Sequence, residues 1–88
     1  MKKLIFLSVQ DDVEIDFVPD WERAPDWAQF YAIDKNLDAF WYEFMPIMDA
    51  QDCHWFHQVG TKLQFDENLD ENKVNQDHWR AMMFERLS

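Results

Sequence analysis

Glycine and cysteine are scarce in this chain, and each shortage excludes a class of chemistry. The 88 residues contain one glycine, Gly60, and one cysteine, Cys53. Glycine-rich phosphate loops and the nucleophile elbow of hydrolases need several glycines at fixed spacing, so both motifs are excluded. A lone cysteine cannot form an intramolecular disulfide, which favours a reducing compartment. We therefore expect a cytoplasmic protein that is not an enzyme and uses no cofactor.

Basic residues are also few, and this limits the choice of partner. Eight Lys and Arg stand against 18 Asp and Glu, which gives a formal net charge of −10. Proteins gain much of their affinity for DNA and RNA from Lys and Arg that displace counterions from phosphates. Direct binding to nucleic acid or to an anionic membrane is therefore disfavoured, and a basic protein partner is favoured.

The acids are concentrated in one part of the chain. Residues 11–52 contain 12 of the 18 acids and only two bases, Arg23 and Lys35. The other 46 residues carry six acids and six bases, so they contribute no net charge. This distribution predicts a local acidic face rather than a general solubilising charge.

Long apolar runs are missing as well. The chain begins MKKLIFLSV, but Asp11 and Asp12 follow after about six apolar positions, fewer than the apolar core of a secretory signal contains. No run approaches the roughly 20 apolar residues that cross a bilayer. Alternating apolar residues instead predict strands at 3–9 and 13–17, which form a first hairpin with an acidic outer face.

Apolar and aromatic residues are plentiful. They make up 48% and 17% of the chain, too much for disorder over the whole length. A chain of this size forms one domain with a limited core, so we expect a single domain at residues 1–88. Fifteen aromatic side chains exceed what one small core hides, which predicts that some are exposed.

An aromatic segment at residues 29–44 predicts a second β-hairpin. Residues 29–34 and 39–44 both alternate their side chains with period two, and the second reads AFWYEF. Between them, Asn36 and Asp38 favour a turn, because their side chains bond the neighbouring backbone. We expect this hairpin to organise the rest of the fold.

The remaining pattern predicts an α+β fold. Residues 47–56 are irregular and predict a loop, whereas residues 61–65 alternate and predict a last strand with Leu63 and Phe65 inward. A helical spacing of i, i+3, i+4 and i+8 near the C-terminus is given by Trp79, Met82, Met83 and Leu87. We therefore expect a small antiparallel sheet of about five strands with one C-terminal helix packed on it.

Residues 20–46 also carry a recognisable pattern. The segment reads D-W-x-x-A-P-x-W-A, then A-x-D at Ala32 and Asp34, then F-W-Y-E-x-x-P ending at Pro46. This pattern resembles small accessory proteins encoded by tailed bacteriophages. Such proteins usually carry a glycine in the hairpin turn, where this chain has Asn36 and Leu37. The resemblance implies a phage origin, where short early proteins often bind and disable a host protein, but it implies no particular activity.

One cluster has ligand chemistry. Its members are Asp49, Asp52, Cys53, His54 and His57. Cysteine, histidine and carboxylates are the ligands of zinc, but structural zinc sites normally use two separated pairs, and the chain has no second pair. A buried cysteine with surface histidines is the favoured interpretation, so we predict no metal. A nucleophilic Cys53 and a paired-carboxylate acid–base site are weaker alternatives.

We predict that the acidic face and nearby rings bind a partner. The predicted partner-binding residues are Asp12, Glu14, Asp16, Asp20, Glu22, Asp26, Asp34, Asp38, Glu43, Trp21 and Trp41. Carboxylates would steer the approach of Lys and Arg, and the rings would supply burial. Alternate residues of one strand lie about 6.6 Å apart, so a single strand is too sparse to imitate duplex phosphates without acids from neighbouring turns.

These features lead to one hypothesis of function with several alternatives. We expect a phage-encoded, non-catalytic inhibitor of a host defence protein that handles nucleic acid, such as a CRISPR effector, a restriction complex or a nuclease. The acidic face would imitate DNA or would recognise another basic surface. The alternatives are a solvated face that only keeps the protein soluble, a homodimer seam formed by the surplus rings, and a nucleotide-binding sponge.

Overall fold

The computed structural model of the protein describes residues 16–87. The predicted first hairpin lies outside these residues except for Asp16 and Phe17, which are in no strand. The described strands are β1 (Phe30–Ile33), β2 (Asp38–Tyr42), β3 (Ile47–Asp49), β4 (His54–Phe56), β5 (Leu63–Asn68) and β6 (Met83–Glu85). Two short 3-10 helices span Trp21–Arg23 and Gln76–Ala81.

The strands form two antiparallel sheets. The larger has four strands in the order β5-β2-β1-β6, and the smaller is the β3–β4 pair. The prediction of a small, mainly antiparallel sheet is therefore confirmed. Over residues 16–87, no helix has the length and apolar character that crossing a bilayer requires.

The aromatic hairpin is confirmed. β1 and β2 pair with Tyr31 opposite Trp41 and Ala32 opposite Phe40. The turn closes with a 2.8 Å bond from the Leu37 backbone N–H to the Asp34 backbone oxygen. Leu37 itself takes the left-handed conformation, with φ of 74°. The turn thus places a buried leucine where glycine is the usual choice.

The predicted C-terminal helix is wrong. The segment Gln76–Ala81 is a 3-10 helix with a non-helical residue, His78, inside it, and the chain then continues as β6. β6 pairs with β1, with Ala32 opposite Met83. The apolar spacing suited a helix, but pairing along the free edge of β1 satisfies backbone groups that a helix would leave unpaired there.

The predicted loop at residues 47–56 is also wrong, because β3 and β4 form a short hairpin there. The predicted last strand is displaced: β5 runs over Leu63–Asn68 instead of residues 61–65. Its side chains Leu63 and Phe65 were expected inside, yet they are 39% and 52% exposed. Among residues 16–87 the β3–β4 hairpin contacts the sheet mainly at β1, so Leu63 and Phe65 at the β5 end are left exposed.

The core lies on both faces of the four-stranded sheet. On one face Tyr31 and Trp41 pack at 4.4 Å between ring centroids, and Trp21 covers them. On the other face the hydroxyl of Tyr42 donates to the Trp55 backbone oxygen at 3.3 Å. Trp55 in turn donates from its indole N–H to the Trp79 backbone oxygen. Two aromatic clusters therefore sandwich one sheet.

Candidate partner-binding surface

Within residues 16–87 the predicted partner-binding acids lie in several parts of the fold and differ in exposure. Asp12 and Glu14 lie outside the described residues. Asp16, Asp20, Glu22 and Asp26 are exposed, before or beside the first 3-10 helix. Within this group Asp20 also caps that helix, because its Oδ1 accepts the Glu22 backbone N–H at 3.2 Å. This segment is the exposed part of the predicted acidic face.

Asp34 is buried rather than exposed like the acids before β1. It is 7% exposed, and its Oδ1 accepts the Trp55 backbone N–H at 2.7 Å. Burial raises the pKa of the Asp34 carboxyl, although the bond from Trp55 and the nearby His54 act in the opposite direction. The Asp34 carboxylate is therefore used inside the fold, although Asp34 also lines a groove described below, and its contact with a partner stays a prediction.

Asp38 and Glu43 are half-buried and lie at opposite ends of β2. Asp38 Oδ1 accepts the side-chain amide of Asn68 at 2.9 Å. Glu43 Oε1 accepts the Lys62 backbone N–H at 3.0 Å. Five steps along the extended chain place their Cα atoms about 16 Å apart. Both carboxylates fasten β5 to β2, so their charge reaches solvent only in part.

The two tryptophans that were predicted to contact a partner lie in different environments. Trp41 is 1% exposed and packs against Tyr31 and Trp21, so the prediction that it contacts a partner is wrong. Trp21 is half-buried, and the guanidinium of Arg86 lies 5.8 Å from its ring centroid. Strand alternation places Trp41 on the face that Trp21 covers, which the sequence pattern alone did not reveal.

Further acids lie in two segments that meet beside the β1–β2 turn, since Asp38 begins β2 and Asp49 and Asp52 belong to the β3–β4 hairpin. The backbone of Lys35 in that turn bonds to the Cys53 backbone oxygen at 3.2 Å, which joins the two segments. We call Asp38, Asp49 and Asp52 the acidic end. Asp49 and Asp52 are not among the partner-binding residues predicted from the sequence, because the β3–β4 pairing was not predicted.

Two members of the acidic end also belong to a possible metal-binding set among the residues that the structure describes. Ligand atoms of Asp49, Asp52 and His54 lie within 4.8 Å of one another, and His54 Nε2 is 3.6 Å from Asp49 Oδ2. Asp49 Oδ1 already accepts two backbone N–H groups of the hairpin turn. Cys53 is not in this set, and its Sγ lies 3.7 Å from the Ala50 backbone oxygen. Within residues 16–87, Cys53, His54 and His57 therefore do not come together as one set of ligands.

An apolar groove opens beside the acidic end, and the sequence pattern did not predict it. Its volume is about 300 Å³. The groove is lined by Asp34, Phe40, Tyr42, His54, Trp55, Phe56, His57 and Leu63. Phe56 is 38% exposed, and Phe65 extends the apolar surface through a 5.4 Å ring contact with Phe40. We call this set, with Phe65, the apolar groove.

The tyrosines near these surfaces are held neutral. Burial is the main cause that raises the pKa of Tyr31 and of Tyr42 above the usual 10.0. The Tyr31 hydroxyl donates to Asp66 Oδ2 at 2.8 Å. Asp66 also accepts from Arg23 at 2.6 Å. These contacts give Tyr31 and Tyr42 a structural role.

Comparison of the chain with protein-family models, with curated proteins and with solved structures finds no match. The resemblance to phage accessory proteins therefore stays a prediction from residues 20–46.

Proposed function

We propose that the protein is a phage-encoded, non-catalytic inhibitor that binds a host defence protein in the cytoplasm of the infected cell. Its target handles nucleic acid, as a CRISPR effector, a restriction complex or a nuclease does, and therefore carries a basic groove. The protein binds that groove through carboxylates that compete with phosphates for Lys and Arg.

The observation that carries this proposal is the proximity of acids and exposed apolar side chains. His54 borders the apolar groove and lies in the same cluster as Asp49 and Asp52. Interfaces bind most strongly where apolar side chains are buried, while surrounding charges set the association rate and the orientation. A chain of net charge −10 with such a surface is suited to a cationic protein partner.

The acids support steering more than close imitation of a phosphate row. The exposed group around Asp20, Glu22 and Asp26 precedes β1, whereas the acidic end lies at the start of β2 and in the β3–β4 hairpin. Duplex DNA carries roughly one charge per 1.7 Å of helix axis, which is denser than carboxylates on alternate strand residues about 6.6 Å apart. Recognition therefore depends on the sum of the charges and on the groove beside them.

The test is a defence assay in bacteria that carry CRISPR or restriction systems. Expression of the protein should restore plaque formation by a phage that the system normally blocks. The Asp52→Lys variant should weaken this protection. The Glu85→Lys variant makes the same charge change at an exposed position on β6 and should keep it. Protection by neither the wild-type protein nor the control, across CRISPR, restriction and nuclease systems, would contradict the proposal.

A nucleotide-binding sponge is the second candidate, and the apolar groove is the observation that favours it. Ligand pockets start at about 300 Å³, and the rings of Phe40 and Phe56 offer stacking surfaces. Nucleotides are anionic, however, and the acidic end repels them. A thermal-shift screen with mono-, di- and trinucleotides should therefore show no stabilisation, and a clear shift would favour the sponge.

A further inference from the structure

β5 is the edge strand next to the apolar groove. Within residues 16–87 it lies at one end of the four-stranded sheet, and at six residues it is the longest described strand. Edge strands present backbone N–H and C=O groups that a further strand can pair with. Among residues 16–87 no strand pairs with the outer side of β5, so in this part of the chain it is a template for an added strand.

The two faces of β5 have different chemistry. Leu63 lies opposite Tyr42 and Phe65 opposite Phe40, which places both on the groove side. The β2–β5 pairing shifts register between Ala39 and Phe40, so the regular alternation of β5 side chains between the two faces is interrupted after Phe65. An added strand would consequently find apolar side chains on the groove side of β5.

Arg23 occupies the opposite face of β5. Its guanidinium contacts Asp66 at 2.6 Å and Glu67 at 3.5 Å. These ion pairs reduce the like-charge repulsion between adjacent carboxylates and hold them on the face away from the groove. The groove side of β5 is thus apolar, and at the end of β5 the side chain of Asn68 bonds to Asp38 of the acidic end.

We propose that β5 and the apolar groove bind an extended segment of a partner protein, which adds to the sheet as a strand. The segment places alternate apolar side chains in the groove and carries Lys or Arg where it reaches the acidic end. The identification of that partner as a defence protein rests on the proposed function, but the binding mode does not.

The geometry sets the length and direction of the segment. Six residues of β5 extend about 20 Å, so five or six partner residues can pair, with groove-facing side chains about 6.6 Å apart. β5 runs from Leu63 toward Asn68, whose side chain bonds to Asp38 at the acidic end. In an antiparallel pair, the favoured arrangement, the basic residues therefore lie at the N-terminal end of the partner segment.

Charge favours a foreign segment over a second copy of this chain. Two copies would bring together two molecules that each carry −10. A dimer through β5 would also set each acidic end beside another acidic chain, and like charges across an interface weaken association. A basic segment removes this repulsion and gains attraction instead.

The experiment is a selection from a phage-display library of random short peptides against the purified protein. We expect enriched peptides with alternating apolar residues and with Lys or Arg toward the N-terminus. Synthetic versions of the enriched peptides should bind the Leu63→Thr/Phe65→Thr variant at least about tenfold more weakly than the wild-type protein, because two apolar contacts are lost. Both side chains are partly exposed, so this variant should fold.

The matched control is Leu87→Thr, which makes the same leucine change at an exposed position outside the groove. It should keep full affinity. Hydrogen exchange of the bound complex should show new protection of the β5 amides. No enrichment, enrichment of acidic peptides, equal affinity for the double variant or unchanged exchange at β5 would each overturn the proposal.

Two further results separate the possible occupants and the two proposals. Self-association in sedimentation equilibrium that disappears in the double variant would identify a second copy as the occupant and overturn the partner segment. Peptide binding at β5 without protection in the defence assay would remove the inhibitor function and leave the binding mode intact. Protection that survives in the double variant would keep the inhibitor function and would overturn β5 as the binding site for the target.

Discussion

The Trp55 backbone N–H donates a hydrogen bond of 2.7 Å to Oδ1 of Asp34, and both residues are buried. Asp34 follows β1 directly, and Trp55 is the central residue of β4. A buried carboxylate thus fastens the β3–β4 hairpin to the larger sheet. Since that hairpin forms one side of the apolar groove, the position of the groove depends on this bond.

The Asp34 bond predicts a specific pH dependence of stability. Burial raises the pKa of Asp34 above its usual 3.8 in the folded protein. Above pH 3.8 the Asp34 carboxyl therefore loses its proton more readily in the unfolded chain than in the folded chain. Linkage then requires that the Asp34 contribution to the free energy of unfolding falls as the pH rises through this window.

The Asp34→Asn variant removes that titration while its amide oxygen still accepts the Trp55 N–H. We expect the variant to gain stability relative to wild type as the pH rises from below 3.8 to neutrality. Urea unfolding at a series of pH values measures the difference. A difference in unfolding free energy between the two proteins that does not change with pH would show that Asp34 has an ordinary pKa in the folded state.

The aromatic hairpin could be predicted from the sequence because its signal is local. Residues 29–44 alternate with period two on both sides of an Asn-containing turn, and β1 and β2 form there. The C-terminal element could not be predicted in this way. The spacing of Trp79, Met82 and Met83 fits a helix, but it also fits a 3-10 turn followed by a strand. The strand forms because β6 can pair with the edge of β1, a contact between distant parts of the chain.

The candidate site was predictable only in its charge. Local alternation shows that Leu63 and Phe65 share a face, but it does not show whether another layer covers that face. Coverage depends on the reach of the β3–β4 hairpin, a contact between distant parts of the chain. For the same reason Asp34 and Trp41 looked like surface residues, although long-range packing buries them.

The contact between Tyr31 and Asp66 predicts a measurable coupling. Tyr31→Phe removes one hydrogen bond and should cost about 1 kcal/mol of unfolding free energy. Asp66→Ala leaves the buried Tyr31 hydroxyl without its acceptor and should cost about 2 kcal/mol. The double variant should cost less than the sum, because the same bond is lost in each single variant. Urea unfolding of the four proteins gives the coupling, and strictly additive costs would contradict it.

Two left-handed residues predict opposite responses to glycine. Leu37 and Cys53 have φ of 74° and 60°, a region that costs other residues roughly 1–2 kcal/mol. Cys53 is only half-buried, so Cys53→Gly should raise the melting temperature by relieving this strain. Leu37 is 7% exposed, so Leu37→Gly should lower it, because lost burial outweighs the relief. Calorimetry of both variants checks the pair, and a shift of the same sign in both would contradict the prediction.

We predict that the main role of Trp21 is to stabilise the fold rather than to contact a partner. Its ring packs 5.2 Å from Trp41 and 6.5 Å from Tyr31, between the sheet and the Arg86 guanidinium. Trp21→Ala should therefore cost about 2 kcal/mol of unfolding free energy, less than the 3–5 kcal/mol typical of fully buried rings. The indole is held by several contacts, and its loss also opens the cover over Trp41.

Trp27→Ala is the control for Trp21→Ala, since Trp27 is also half-buried. Its ring lies 5.9 Å from the Lys62 amine and covers no ring of the Tyr31 and Trp41 cluster. We expect a smaller loss of stability than for Trp21→Ala in the same urea titration. A Trp21→Ala protein with wild-type stability but no protection in the defence assay would instead make Trp21 a direct contact with the target, because only binding would then depend on the ring.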